Sequence, residues 1–201
     1  MIKKILTDSI IEAQKNIEAL LADVQLHAEF ENMIQMMVDC YKKGGGLFVA
    51  GNGGSAADAQ HFVAELVVKL SKNRDPIKAF ALTVDTSIIT AAGNDFGYDD
   101  IFSRQVEGLM NKNDIFIGIT TSGNSPNILK SFDMCKKIGA KSILLSGFTG
   151  GIAVQQNKAD INIVVPGPNT ARIQEAHAIL YHTICFCLEK RLIEEKIISY
   201  R

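Results

Sequence analysis

Five short apolar runs, separated by segments with helical spacing, set the strongest limit on how this chain can fold. Each run is continuously apolar rather than alternating, which is typical of parallel strands covered on both faces. The predicted strands are Leu47–Ala50, Lys78–Leu82, Ile115–Ile119, Ser142–Ser146 and Ile161–Val165. The predicted helices among them are Ser55–Leu70, Thr86–Ala92, Asp100–Leu109, Asn127–Ile138 and Thr170–Glu195. This alternation predicts an α/β fold with a doubly wound, five-stranded parallel sheet.

Residues 1–43 differ from the rest because they predict helices alone. Apolar residues recur at helical spacing in two stretches, and Lys42-Lys43 followed by Gly44 marks the end of the second. The apolar positions of the first stretch are Ile5, Ile10, Ile17, Leu20, Leu21 and Val24. We expect an N-terminal helical hairpin that packs on the domain or on a neighbouring subunit. The length predicts that residues 1–201 form a single domain.

Composition restricts the partners and the compartment. The formal net charge is −1 and the basic residues are scattered, whereas nonspecific nucleic-acid binding needs a clustered basic face. No apolar run approaches the roughly 20 residues that span a bilayer, and the N-terminus does not resemble a signal peptide. The four cysteines form no Cys-X-X-Cys motif and are expected to be buried thiols. We therefore expect a cytoplasmic protein with no nucleic-acid or membrane partner.

Two glycine- and hydroxyl-rich turns follow predicted strands and open predicted helices. Residues 51–55 read Gly-Asn-Gly-Gly-Ser, and residues 120–125 read Thr-Thr-Ser-Gly-Asn-Ser. Such a turn at a helix N-terminus favours an anion, because free backbone N–H groups and the helix dipole point to one place. Neither turn is a Walker loop or a dinucleotide fingerprint. One turn alone would indicate an ordinary helix cap, but two at equivalent strand ends predict a phosphate or sugar-phosphate site.

Several polar residues on predicted helices are candidates for chemistry. His61 and Glu65 are spaced i and i+4, so they share a helix face one to three turns from the first loop. Such a pair is commonly a surface feature, but its place beside an anion loop favours metal binding or proton transfer. The last predicted helix adds His177 and His182, and spacing alone does not choose between them. The loop Gly93–Gly97 is equally consistent with a plain turn and a substrate contact.

Together these motifs resemble the SIS (sugar isomerase) domain family and, within it, the phosphoheptose isomerases. The resemblance covers nearly the whole chain and rests on Gly51–Ser55, His61–Glu65, Gly93–Gly97, Asp100–Arg104, Thr121–Ser125, and Arg172–Glu175 leading to His182. It implies a flavodoxin-like sheet. It also implies an aldose–ketose isomerase that converts sedoheptulose 7-phosphate to D-glycero-D-manno-heptose 7-phosphate through an enediol, the first step towards ADP-heptose. The other function considered is a non-catalytic SIS-domain binder, either a replication-initiation regulator or a sugar-phosphate sensor.

The resemblance also implies roles for individual residues. Glu65 is expected to be the general base, and His182 the complementary acid or base. One zinc ion per subunit is expected among His61, Glu65, Gln174 and His182. The expected substrate contacts are Asn52, Gly53, Gly54, Ser55, Glu65, Asn94, Asp95, Thr120, Thr121, Ser122, Ser125 and Gln174. A zinc-bound carboxylate is a poorer base, so the two roles of Glu65 stand in tension.

The family pattern further implies a homotetramer whose sites combine residues of more than one subunit. Two positions depart from that pattern. Thr120 replaces a common serine and keeps the hydroxyl, whereas Lys69 replaces a common arginine and lacks its planar fork. A bidentate substrate contact at position 69 is therefore not carried over from the family pattern.

Overall fold

The computed structural model describes residues 1–201 and contains one sheet between two layers of helices. The strands are β1 Leu47–Gly51, β2 Ala79–Ala81, β3 Ile115–Thr120, β4 Lys141–Gly147 and β5 Ile161–Val165. All four neighbouring pairs are parallel, and the strand order is β2-β1-β3-β4-β5. This is the flavodoxin-like order, so the predicted doubly wound, five-stranded parallel sheet is confirmed.

Eight α-helices surround the sheet. They are α1 Ile2–Ala22, α2 Val24–Lys42, α3 Gly54–Val67, α4 Thr86–Asp95, α5 Ser103–Leu109, α6 Pro126–Ile138, α7 Gly151–Gln155 and α8 Thr170–Glu194. Successive strand residues face opposite layers, so Val49 packs with the core beneath α1, α2, α3 and α8, and Phe48 packs with the core beneath α4 to α7. Two buried faces explain why the strands are continuously apolar. None of the helices combines the length and apolarity needed to cross a membrane.

Some element boundaries differ from those predicted. The edge strand β2 is shorter than predicted, and the predicted helix from Asp100 divides into a 3-10 helix, Tyr98–Asp100, and α5. Helix α4 continues to Asp95, so the predicted turn at Gly93–Gly97 begins inside a helix. Helix α7 was not predicted, because it follows Gly150 and begins at Gly151, and two successive glycines indicate a loop. Their φ angles are 74° and 54°.

The first helix is largely exposed. Of its 21 residues only Asn16 and Leu20 are buried, and both lie towards its C-terminal end. Asn16 Nδ2 donates to the Arg172 carbonyl of α8 at 3.2 Å, so this end is attached to the domain. The other apolar positions predicted to form a stripe are at least 48% exposed: Ile5, Ile10, Ile17, Leu21 and Val24. Helix α2, in contrast, packs on α8 and β5.

Candidate active site

The two predicted loops lie side by side at the carboxyl edge of the sheet. Strands β1 and β3 are neighbours, and Gly51 pairs in register with Ile119. The chain winds outward in opposite directions from this pair, so β1 and β3 form the topological switch point, where the following loops bound a crevice. Asn52 after β1 and Asn127 just beyond the second loop exchange two side-chain hydrogen bonds, which link the loops.

Glycines shape the first loop, Gly51–Ser55. Gly53 has a φ of 55°, a conformation that a side chain disfavours. A Cβ atom on Gly54 would collide with the Gln174 amide from α8. No side chain caps α3. The N–H groups of Ser55 and Ala56 donate to the carbonyls of Asn52 and Gly53, which leaves the N–H groups of Gly53 and Gly54 for an anion. Ser55 is only 4% exposed, which leaves the backbone as the main contact surface of this loop.

Hydroxyl groups gather in the second loop, Thr120–Ser125. Thr120 Oγ1 and Ser125 Oγ are 2.9 Å apart, and Ser125 does not use its hydroxyl to cap α6. Thr121 and Ser122 are half-buried beside them. Helix α7 supports the loop, because the Ala153 N–H donates to the Gly123 carbonyl at 3.0 Å. Hydroxyls and an uncapped helix N-terminus together suit a phosphate group.

His61, Glu65 and His182 form the cluster of side chains best suited to chemistry. One ligand atom from each lies within 4.8 Å of the other two, close enough for one metal ion to contact all three. His61 Nε2 and Glu65 Oε1 are 3.1 Å apart along α3. The His182 ring, on α8, lies edge-on to the His61 ring with centroids 5.0 Å apart. Two imidazoles and a carboxylate are ligands that zinc and similar cations accept.

The outer hydrogen bonds of both histidines also fit a metal site. His182 Nδ1 lies 2.7 Å from the Ala178 carbonyl, which can only accept, so Nδ1 carries the proton and Nε2 keeps its lone pair. The Tyr181 hydroxyl contacts His61 Nδ1 at 3.0 Å and orients that ring with Nε2 towards Glu65. Metal-binding histidines are commonly oriented through the second nitrogen in this way.

Gln174 and His177 lie apart from that cluster. Helices α3 and α8 run parallel, with Gln174 against Gly54 and Tyr181 against His61. The seven residues from Gly54 to His61 correspond to about 10 Å along the helix. Gln174 therefore lies at the first loop, and its predicted metal contact stays a prediction. His177 is fully buried and bonds the Ser146 carbonyl of β4 at 3.1 Å. The structure places His182, not His177, beside His61 and Glu65.

The predicted contacts Asn94 and Asp95 lie at the end of α4. Both are exposed, and Asn94 Nδ2 donates to Asp95 Oδ1 at 2.7 Å. The next polar residue along the chain, Tyr98, reaches the first loop, where its hydroxyl donates to Asn52 Oδ1 at 3.0 Å. This segment therefore adjoins the crevice, although Asn94 and Asp95 form no hydrogen bond with the other predicted site residues.

Comparison with known proteins identifies the family. Residues 14–147 match the model of the SIS domain family. The phosphoheptose isomerase of Campylobacter jejuni serotype O:6 is 49% identical over 78% of this chain and 83% of its own length. That of Aneurinibacillus thermoaerophilus is 43% identical over 96% of this chain and 97% of its own. The chain belongs to the phosphoheptose isomerase family of SIS-domain proteins.

A solved member of the phosphoheptose isomerase family has the same fold. The structure of GmhA from Neisseria gonorrhoeae superposes with a TM-score of 0.84 at 35% identity, over 94% of this chain and all of that one. The family predicted from the motifs is thus confirmed.

Three residues of the site were not singled out from the sequence. Tyr181 orients His61, and Asn127 holds Asn52. Arg74 donates through Nη2 to the Glu65 carbonyl at 2.8 Å and through Nη1 to the Leu66 carbonyl at the same distance. Arg74 therefore holds the C-terminal end of the helix that carries Glu65. No local motif marks any of the three, because each acts on a partner at least nine residues away or on a backbone carbonyl.

Buried His177 is expected to make the protein acid-sensitive. Burial lowers the pKa of His177 to about 4, against an opposing hydrogen bond to Ser146. In the unfolded chain the His177 side chain binds a proton near pH 6.5. The free energy of unfolding is therefore at its full value above that pH and falls as the pH drops towards 4. The full loss of unfolding free energy is about 3 kcal/mol, and about 2 kcal/mol of it is expected between pH 7.5 and pH 5. Denaturant titrations at pH 7.5 and pH 5 measure it.

Two variants isolate the contribution of His177 to this pH dependence. His177→Gln keeps a donor for the Ser146 carbonyl but does not titrate, so the loss of stability between pH 7.5 and 5 should shrink. His27→Gln removes an exposed histidine from α2 and should retain the wild-type dependence. An unchanged pH dependence in His177→Gln would contradict the prediction.

Proposed function

We propose that this chain is an aldose–ketose isomerase that converts sedoheptulose 7-phosphate to D-glycero-D-manno-heptose 7-phosphate through an enediol. The observation that carries this proposal is the position of the Glu65 carboxylate beside two histidines, on the helix that begins at the first loop. A carboxylate and an imidazole together can remove a proton from one carbon and serve the neighbouring oxygens. The names of its relatives support the same reaction.

The proposed reaction divides the site into three parts. The hydroxyls and backbone of Thr120–Ser125 hold the phosphate, and Gly51–Ser55 with Asn94 and Asp95 contact the sugar. Glu65 moves the proton between C1 and C2 of the open-chain sugar, while His182 gives a proton to or takes one from the oxygens. Holding both ends of the substrate brings the reacting carbons to Glu65 at no cost in the chemical step.

We propose zinc as the metal, held by His61, Glu65, His182 and Gln174. The first three offer two imidazole nitrogens and a carboxylate oxygen, a donor set that zinc enzymes commonly use. Zinc, when bound, supplies Lewis-acid polarisation of a carbonyl oxygen. The amide of Gln174 must leave Gly54 to join the set, so Gln174 is the weakest member of the proposal.

A homotetramer is proposed as the working assembly. The support from the structure is α1, which exposes apolar side chains including Ile2 at 80% and Leu6 at 61%. Contiguous exposed apolar surface is typical of subunit interfaces. A monomeric mass by light scattering at micromolar concentration would exclude this assembly.

Turnover of sedoheptulose 7-phosphate by the purified protein tests the function. We expect isomerase activity that dialysis against a chelator lowers and that added zinc restores, because the metal would supply Lewis-acid polarisation. Lack of turnover with zinc bound would reject the isomerase. Full activity in a preparation shown to be metal-free by mass spectrometry would reject the zinc.

The non-catalytic alternative makes the opposite prediction. A replication regulator or sugar-phosphate sensor needs the phosphate loop but neither Glu65 nor His182. Because this chain brings these two residues together, the enzyme is favoured. Binding of sedoheptulose 7-phosphate without turnover would favour the sensor.

A further inference from the structure

We propose that Asn127 is a positioning residue, which acts on the substrate through Asn52; this inference rests on the function proposed above. Asn127 is the second residue of α6, directly after the Thr120–Ser125 loop, and is 1% exposed. Asn52 lies in the Gly51–Ser55 loop of the neighbouring strand. The contact between them therefore spans the crevice between the proposed phosphate and sugar loops.

The two asparagines form a reciprocal pair. Asn52 Nδ2 donates to Asn127 Oδ1 at 2.9 Å, and Asn127 Nδ2 donates to Asn52 Oδ1 at 2.9 Å. An amide held by one hydrogen bond can still rotate about it, but two bonds of opposite direction fix its orientation. Because Asn127 is buried on α6, it is the fixed member of the pair. Asn52 is half-buried beside the crevice and is the member that is held.

A third bond completes the arrangement. The hydroxyl of Tyr98, the first residue of the 3-10 helix that follows α4, donates to Asn52 Oδ1 at 3.0 Å. An asparagine side chain has two N–H donors and one oxygen with two acceptor positions. Asn127 and Tyr98 occupy both acceptor positions, and Asn127 occupies one donor. Asn52 is therefore left with one N–H and no acceptor for a ligand.

This count defines the ligand atom that Asn52 can bind. A lone N–H recognises an acceptor oxygen, such as a phosphate, carbonyl or enediolate oxygen, and cannot accept a bond from a sugar hydroxyl. In the proposed isomerisation, the oxygens on C1 and C2 gain negative charge, and a fixed donor stabilises such charge without reorganising. Without Asn127, the amide could turn and present its oxygen to the same atom, which would repel it.

A double-mutant cycle tests whether Asn127 acts through Asn52. The four proteins are the wild type, Asn127→Leu, Asn52→Ala and the double variant, each assayed for kcat and KM on sedoheptulose 7-phosphate. We expect Asn127→Leu to lower kcat/KM by about tenfold or more, since small misplacements are costly. In the Asn52→Ala background the same substitution should cost nothing further. If the two effects multiply instead, Asn127 does not act through Asn52 and the proposal is wrong.

Two further variants separate positioning from folding. Ser131→Ala removes a buried hydrogen bond of 2.8 Å one turn further along α6, leaves both amides in place, and should keep wild-type kinetics. Tyr98→Phe alters an exposed residue, so it should fold, and it frees one acceptor position of Asn52. We expect a smaller fall in kcat from Tyr98→Phe at an unchanged melting temperature. If Asn127→Leu does not fold, wild-type kcat in Tyr98→Phe overturns the proposal.

Measuring both turnover and binding of sedoheptulose 7-phosphate distinguishes failure of this inference from failure of the proposed function. If the wild type binds sedoheptulose 7-phosphate but does not turn it over, the isomerase is rejected, and the cycle is measured by calorimetric affinity. Equal affinities in all four proteins would then overturn the role of Asn127. Absence of both turnover and binding in the zinc-loaded wild type overturns both proposals.

Discussion

Glu65→Gln is expected to lower kcat on sedoheptulose 7-phosphate by about 10³-fold, since a positioned general base contributes on the order of 10² to 10⁴ in rate. Glutamine keeps the size of the side chain and one oxygen, but it cannot take a proton from carbon. KM should change little, because the proposed phosphate and sugar contacts remain. Steady-state kinetics measure both quantities, and wild-type turnover would remove Glu65 from the chemistry.

The metal content of the Glu65→Gln variant resolves the double role assigned to this residue. If the variant retains zinc but has a lowered kcat, Glu65 acts as a base. If it loses zinc and has a lowered kcat, the role of Glu65 as a metal ligand dominates. His182→Ala is expected to lower kcat as well, and His177→Gln is the matched histidine control on the same helix. Glu107→Gln, which removes an exposed carboxylate paired with Lys137, should keep full activity.

Arg74→Met is expected to lower the free energy of unfolding by about 3–5 kcal/mol, the usual result of leaving a buried charge unpaired. The Arg74 side chain is fully buried, and its Nε donates to Glu189 Oε2 at 2.9 Å. Its remaining N–H groups donate to the carbonyls of Glu65, Leu66 and Asp75. The substitution therefore leaves the Glu189 carboxylate without its cation and removes a donor from three carbonyls, of which Leu66 keeps the Ile77 N–H. Urea unfolding monitored by circular dichroism measures the loss.

The double variant Arg74→Met/Glu189→Met tests the cause of that loss. Replacing both charges with apolar side chains should restore part of the stability, because no unpaired buried charge remains. Arg201→Met removes an exposed ion pair with Asp75 and should leave the melting temperature nearly unchanged. A double variant less stable than Arg74→Met would contradict the explanation.

The sheet and its two loops were predictable because their signals are local. Each strand is a run of apolar residues, and each loop is a cluster of glycine and hydroxyl side chains beside it. Helix α7 was missed because Gly150 and Gly151, at its N-cap and first position, are typical of a loop. Gly93 shows the opposite error, because it was expected to mark a turn and instead lies within α4.

Within the site, too, the residues with local signals were predictable and those with distant partners were not. His61 and Glu65 are four residues apart, so helix geometry alone places them together. His182 is more than a hundred residues away, and the family resemblance was needed to prefer it over His177. Arg74, Asn127 and Tyr181 carry no motif, because their importance lies in distant partners that only the folded chain brings near. The exposure of α1 was also unpredictable, since an apolar stripe does not reveal whether its own chain covers it.

The parallel packing of α3 and α8 gives the site an unusual sensitivity to chain length. Gly54 and His61 are seven residues apart on one helix, and their partners Gln174 and Tyr181 are seven apart on the other. Removing a single residue between either pair would turn the distal contact by about 100° around its axis. The sheet would survive, but the proposed sugar contact and the cluster of His61, Glu65 and His182 would no longer face the same crevice. Insertions and deletions in this lineage should therefore collect in the loops and spare these two seven-residue intervals.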